Sequence, residues 1–318
     1  MRPEPKRTAP GPATEAPERA ATVVLAAVDC TDRSTIALLR AAALARVLGA
    51  ELHAVHVIEP TSRIHAFFRH RKAAARTASA MRREDAAAAL LAFCEVALAR
   101  RVLPSRLHVA EGEVVPSIVA VAAELCAALI VIPGDSPEND RRFRERVDTL
   151  VRKADRPVLV ARPPRPSRTI VAATDFTSEQ FPALTRAAEL GARTESRVVF
   201  MHNVPPTGPL DSPETAGLAE ILMGDPIAEA IARRRADLGV VADLVDAQVD
   251  TAVLSRDRAA DAILETARRH DADLVVVGSH RRRGMRRLAS SNTAVKVATA
   301  ARRCVLAVPL SPAPEHAG

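Results

Sequence analysis

Residues 22–31 read TVVLAAVDCT, and residues 169–177 read TIVAATDFT. Each is an apolar run without polar alternation that ends on an aspartate, with a threonine two residues later. Such runs suit strands covered on both faces. The likeness extends outward. TVVLAAVDCTDRSTIALLRAAALARVLGAELHAVHVIEP (22–60) aligns with TIVAATDFTSEQFPALTRAAELGARTESRVVFMHNVPP (169–206). The alignment sets Asp29 on Asp175, Thr31 on Thr177 and His56 near His202, with Gly49 close to Gly191 after a small slip. AALIVIPG (127–134) then matches ADLVVVGS (272–279), and RPVLVARP (156–163) matches RCVLAVPL (303–310). The offset stays at about 146 residues. Solenoid repeats have periods of roughly 20–50 residues, so this is a domain written twice.

Two units follow, at 21–162 and 169–310, joined by a linker at 163–168 within RPPRPSR, whose three prolines suit neither a helix nor a sheet interior. Residues 1–20 and 311–318 read as disordered tails. Strands are expected near 23–28, 52–58, 106–110, 129–132 and 158–161, and again near 170–173, 198–204, 248–254, 274–277 and 305–308. Between them run helical patterns, with Ile36, Leu39, Ala43 and Val47 on one stripe and Ile263, Ala267 and His270 on another. Alternating strands and helices imply an α/β fold, each unit a parallel sheet with helices on both faces. A ligand would then sit beyond the carboxyl ends of the strands.

Composition narrows the classes. The 318 residues allow about two domains, and 48% are apolar. There is no Trp or Tyr and there are only seven Phe, which argues against stacking platforms for single-stranded nucleic acid. Lys and Arg number 45 against 38 acids, a charge of +7 that permits anionic partners without naming one. Cys30, Cys94, Cys126 and Cys304 show no CxxC spacing and read as buried thiols in a reducing compartment. The N-terminal stretch has charges and prolines where a signal peptide needs an apolar segment, and no apolar run is long enough to span a bilayer. A cytoplasmic location is the expectation.

Asp29 and Asp175 end the first strand of each unit, either capping the following helix or reading a ligand there. The second candidate is VVVGSHRRRGMRRLASSN (275–292), in which Gly278 ends a strand and a loop with five arginines leads to a helix start at Ser290, Ser291 and Asn292. A helix start and arginines favour an anion, although such a loop can equally be a solvated one. The chain has neither a Walker A signature nor GxGxxG, so a P-loop enzyme and a dinucleotide dehydrogenase lose their usual support. His53 and His56 face opposite ways on a strand, His65 and His70 do not share a helix face, and no zinc spacing or GxSxG elbow occurs. No catalytic or metal-binding residue is assigned. Residues 63–85 are basic and include Phe67 and Phe68, a pattern for a loop and helix start over the sheet edge or for docking on an anionic surface.

With its VAxDxS-like opening, VHV strand, DLVVVGSH and closing PVLVA, the chain apart from its tails resembles a tandem universal stress protein of the UspA family. The resemblance implies two Rossmann-like domains, each a five-stranded parallel sheet of the adenine-nucleotide-binding type, paired through their last strands as an intramolecular pseudo-dimer that could pair again as a homodimer. Members that bind ATP carry G-x-x-G, nine residues, then G and Ser or Thr, and the first-strand aspartate contributes to the adenine pocket. On the second unit Gly278 matches the first glycine, Arg281 replaces the second, and Ser291 with Asn292 replaces the third and its partner. Gly284 matches a further loop glycine, and His280 could touch phosphate or merely sit in the loop. The cofactor candidates are therefore Asp175, Gly278, His280, Gly284, Ser291 and Asn292, with ATP as the cofactor considered for the second unit. In the first unit Pro133 takes the glycine position and Asp135, Glu138 and Asp140 bring negative charge, so no ATP is expected there.

The leading expectation is a non-catalytic stress-response protein with a weak adenine-nucleotide site in the second unit. The alternatives are a scaffold or adaptor without nucleotide, a nucleotide-hydrolysing enzyme on the same fold using Asp175, and a basic module for nucleic acid or anionic lipid. Nucleic acid is disfavoured by the scarcity of aromatics.

Overall fold

The computed structural model describes residues 22–59, 72–134, 141–178, 180–206, 226–245, 249–280 and 293–310. The first unit contributes β1 (Val23–Ala27), α1 (Asp32–Leu48), β2 (Glu51–Ile58), α2 (Lys72–Leu98), β3 (Leu107–Glu111), α3 (Val114–Glu124), β4 (Leu129–Pro133), α4 (Arg141–Lys153) and β5 (Val158–Ala161). The second contributes β6 (Thr169–Ala173), α5 (Pro182–Thr194), β7 (Arg197–Asn203), α6 (Pro226–Leu244), β8 (Asp250–Leu254), α7 (Ala259–Arg269), β9 (Leu274–His280), α8 (Thr293–Ala300) and β10 (Cys304–Leu310). The residues of β1 and β6 are all buried, as their unalternating runs require.

The strands form one ten-stranded sheet, in the order β3-β2-β1-β4-β5-β10-β9-β6-β7-β8. Two separate sheets, one per unit, would follow from duplication alone; instead β5 and β10 pair antiparallel, Val160 opposite Val305 and Leu159 opposite Leu306, and every other pairing is parallel. The merger has a simple cause. The inner edges of β5 and β10 would otherwise expose unpaired backbone groups flanked by fully apolar side chains. The two apolar layers also cross the seam. One holds α1, α2, α5 and α6 against the sheet, and the other α3, α4, α7 and α8, each with residues of both units.

Polar clamps reinforce the junction. Arg40 of α1 makes a two-pronged contact with Asp273, Nη1 to Oδ2 at 2.9 Å and Nη2 to Oδ1 at 2.6 Å, and the Arg165 N–H donates to the same Oδ1. Arg162 is only 4% exposed. It donates to the carbonyls of Arg303 and Ala298, while its N–H and carbonyl both meet the Cys304 thiol.

The duplication can be followed in backbone detail. Glu51 on β2 pairs with Arg106 at 2.7 Å, and in the second unit the signs are reversed, with Arg197 pairing to Asp250. The turn after α1 runs through Gly49 at φ 64°, with Ala50 N–H on the Ala45 carbonyl; after α5 it runs through Glu195 at φ 52°, with Ser196 N–H on the Gly191 carbonyl. Gly49 therefore corresponds to Glu195, and the alignment with Gly191 is corrected. Gly191 answers to Ala45 and lacks a side chain because α5 presses on β7, where a Cβ would lie 2.3 Å from Val198 Cγ2.

Other expectations are corrected as well. The buried stripe of α1 is Ser34, Ala37, Leu38, Ala41 and Ala45, whereas Leu39 is 48% exposed and Ala43 exposed. Small residues let the helix backbone approach the sheet, and in an alanine-rich helix hydrophobicity alone defines two neighbouring stripes equally well. On α7, Ile263 and Ala267 are buried and His270 half-buried. Of the thiols, Cys94 and Cys304 are buried, but Cys30 is half-buried and Cys126 exposed. Both of the latter sit at positive φ in the turns that follow β1 and α3, where the chain leaves the packed layers. Gly278 does not end its strand, since β9 continues to His280 by pairing with the longer β10.

Gly191→Ala should destabilise the protein by ~1–3 kcal/mol through overpacking. Gly239→Ala, on α6 where a Cβ would meet nothing within 4 Å, should stabilise it by ~0.5–1 kcal/mol. Urea unfolding followed by circular dichroism measures both.

Candidate functional site

In each half of the sheet the strand order reverses at one place, between β1 and β4 and between β6 and β9. Crevices at the carboxyl ends of such strands are where open α/β sheets bind ligands. Asp29 and Asp175 follow β1 and β6 at these points, and Gly278 lies one residue beyond Val277, the partner of Ala173. Topology thus brings Asp175 and Gly278 to neighbouring strand ends. His280 ends β9, while Gly284, Ser291, Asn292 and Arg281 lie outside the described residues, as do Asp135, Glu138 and Asp140 of the first unit and His65, Phe67, Phe68 and His70.

The aspartates hold a loop and do not cap the next helix. Asp175 Oδ1 accepts the Thr177 N–H at 3.0 Å and the Thr177 hydroxyl at 2.7 Å; Asp29 Oδ1 accepts the same two groups of Thr31 at 3.1 and 2.6 Å. The residue between is left-handed in both units, Cys30 at φ 58° and Phe176 at φ 57°. A side chain in that conformation costs ~1–2 kcal/mol, which the aspartate's hydrogen bonds offset. N-cap positions fall elsewhere, at Thr31 for α1 and Phe181 for α5, neither with a side-chain cap.

A histidine on the next strand supports each loop from below. His56 Nδ1 lies 3.0 Å from the Val28 carbonyl, and His202 Nδ1 lies 2.8 Å from the Thr174 carbonyl. The sequence carried this signal in the alignment of His56 with His202, whereas the spacing of His53 and His56 bears only on a metal site, which it disfavours. His53 does face the other side of β2, where its ring stacks on His108 with Nδ1 and Nε2 2.9 Å apart. No group of three or more His, Cys, Asp or Glu that could hold a metal occurs among the described residues.

The two loops then diverge. In the first unit Ser34 adds its hydroxyl to Asp29 Oδ1 and accepts the Asp29 N–H. Burial raises the Asp29 carboxyl, but the hydroxyls of Ser34 and Thr31 outweigh it and hold the group below its usual value. Nearby, Gly134 donates its N–H to the Ala161 carbonyl at 2.8 Å, extending the β4–β5 pairing as Ser279 opposite Pro309 extends β9 in the second unit, and a Cβ on Gly134 would lie 2.6 Å from that oxygen. In the second unit α5 starts only at Pro182, and aromatic groups fill the space beside the loop. The Phe176 ring meets the edges of Phe181 and His202 at centroid distances of 6.0 and 4.9 Å, and Arg234 of α6 lies over it at 5.0 Å. At the Gly278 position a Cβ would meet only the flexible Leu310 side chain, at 3.1 Å. Arg234, Phe181 and the cross-unit clamp were not legible in the sequence, because none belongs to a motif.

The sequence profile of the Universal stress protein family matches residues 21–162 and again residues 166–309. The chain belongs to that family, in tandem. The two matches coincide with the two halves of the sheet of this tandem universal stress protein. A universal stress protein from Archaeoglobus fulgidus DSM 4304 aligns at a TM-score of 0.60 and 15% identity, covering 90% of this chain and 96% of that one. A functionally unknown protein from Pseudomonas aeruginosa PAO1 aligns at a TM-score of 0.59 and 20% identity, covering 91% and 93%. At these identities the likeness concerns the fold. No curated protein matches the chain. No helix among the described residues is long and apolar enough to cross a membrane.

Burial lowers the pKa of His202, assisted by Arg234 and opposed by the Thr174 carbonyl and by Asp175 and Asp237. The unfolded chain therefore binds this proton more readily than the folded one. The contribution to stability is complete above the unfolded value of about 6.5 and is lost as pH falls toward the lower folded value. A titration of the His202 ring protons by NMR should have its midpoint below that of a free histidine, and His202→Gln should reduce the acid-induced loss of stability.

Proposed function

We propose that this universal stress protein is a non-catalytic nucleotide sensor, in which the second unit binds an adenine nucleotide weakly and the first serves as its structural partner. The observation that carries the reading is the strand-order reversal between β6 and β9, flanked by the Asp175 loop on one side and by Gly278 in β9 on the other. Asp175 is exposed beside the Phe176 ring, over which Arg234 lies while paired to Asp237 at 3.0 Å, a setting suited to a base. In the first unit Pro133 stands where the second has Gly278, so one backbone N–H that could approach phosphate is missing there. Arg281 in place of a motif glycine argues for weak binding, since a residue type with a Cβ and a long side chain is poorly suited to a motif position where backbone N–H groups approach phosphate closely. A non-catalytic role fits the residue set, because phosphoryl transfer needs a positioned base or metal-bridging carboxylate and the Asp175 carboxylate is already engaged in shaping its loop.

Calorimetric titration of the full chain with ATP and magnesium tests the proposal, the full chain being the right species because β10 has its inner edge covered by the first unit. One saturating site is expected. Asp175→Ala should weaken it about tenfold, the value of one charge-assisted hydrogen bond, and Asp29→Ala should leave it unchanged. No binding at millimolar ATP would leave a scaffold without nucleotide, and phosphate release abolished by Asp175→Ala would make the protein a hydrolase.

A further inference from the structure

At the opposite end of the first half-sheet from Asp29, where β2 and β3 begin, the chain encloses a cleft of ≈ 60 Å³. Its floor is apolar: Leu38 of α1, Leu52 and Ala54 of β2, Leu98 of α2 and Leu107 of β3. Three arginines, Arg100, Arg101 and Arg106, stand around its mouth, and no acidic residue is among its described lining. Two of the three have acidic neighbours, and Glu95 also accepts the N–H of the lining residue Val102. Arg106 pairs with Glu51 at 2.7 Å, and the almost fully exposed Arg101 lies 3.8 Å from Glu95. Arg100 forms no ion pair among the described residues.

The connector that carries these arginines is folded back over the cleft by a turn at an unfavourable residue. Ala99 takes φ 49°, with its N–H on the Val96 carbonyl and the Arg100 N–H on the Glu95 carbonyl. This is the helix ending that glycine normally serves. The backbone accepts that strain and sets Arg100 and Arg101 at the rim, followed by Leu103, which is left 59% exposed beside the cleft. A hydrophobic wall open to water, an apolar floor and an unpaired cation at the mouth are complementary to one kind of molecule, a small organic acid with an apolar tail.

We propose that this cleft binds a short-chain aliphatic carboxylate, the carboxylate on Arg100 and Arg101 and the chain against Leu38, Leu52 and Leu98. On the measure in which a water needs ~10–15 Å³, the volume admits a chain of about four to six carbons. The site is separate from the strand-end crevice and holds whether or not nucleotide binds there.

Hexanoate is the probe. Titrated into the isotopically labelled full chain at neutral pH, it should shift the amide resonances of residues 98–107 saturably, while hexylammonium and acetate should not. Arg100→Glu should weaken hexanoate at least about tenfold, as expected for reversing a charge-assisted contact. Leu103→Asp, at an equally exposed rim position, should weaken it without altering the fold. The proposal is overturned if hexanoate gives no saturable shift, if acetate or hexylammonium acts equally well, or if Arg100→Glu has no effect. It is also overturned if the same resonances move with protein concentration alone, because a second copy of the chain would then cover the cleft.

Discussion

Antiparallel pairing of Val158–Ala161 with Cys304–Leu310 is the contact on which the rest of the molecule depends. Parallel strands bonded on one side only would present backbone donors and acceptors between two apolar faces, a combination that favours association. Joining the last strands removes both inner edges at once and makes each apolar layer continuous from α1 and α2 to α5 and α6, and from α3 and α4 to α7 and α8. Only β3 and β8 remain at the sheet ends. Each is five residues long and carries an acid, Glu111 or Asp250, at one end. The Arg40 and Asp273 contact and the buried Arg162 fix the angle of the junction, and because Arg162 binds the Ala298 carbonyl of α8, the first unit also helps to hold a helix of the second.

Duplication preserved backbone devices more faithfully than side-chain chemistry. The left-handed residue after each aspartate, the threonine hydroxyl that holds that aspartate and the histidine beneath it recur in both units. These are constraints on chain geometry, and any change to one alone would be felt by its neighbours. Charge sign on an exposed cross-strand pair is a looser constraint, because only complementarity matters, and Glu51 with Arg106 became Arg197 with Asp250. The side chains beside the two strand-end loops differ between the units. Ser34 draws the first loop inward, whereas Phe176, Phe181 and Arg234 build a wall around the second.

Much of the fold was legible in the sequence, for reasons specific to it. Short, β-branched, unalternating apolar runs such as LVVV suit strands covered on both faces, and the repeat supplied a second reading of each element. What escaped was information held by pairs distant in the chain. Nothing local marks Arg40 as the partner of Asp273, 233 residues away, or Arg234 as the neighbour of Phe176. The α1 stripe was misplaced because alanine contributes little contrast between faces, and Gly191 was misaligned because two glycines with different duties, one conformational and one steric, look alike in a sequence. At the candidate site, position and motif singled out the aspartates and Gly278 as candidates, while the role of the aspartates in shaping a loop required the geometry of the threonine beside each.

The account stands on the two units sharing one sheet in solution, and native-state hydrogen exchange read along β5 and β10 tests this most directly. If the seam is formed as described, the inward-facing amides of Val158–Ala161 and Val305–Ala307 exchange as slowly as those of the central strands β1 and β6, and all are released together in a single global unfolding event. Rapid exchange along β10 and β5, at rates typical of free sheet edges while β1 and β6 stay protected, would contradict it.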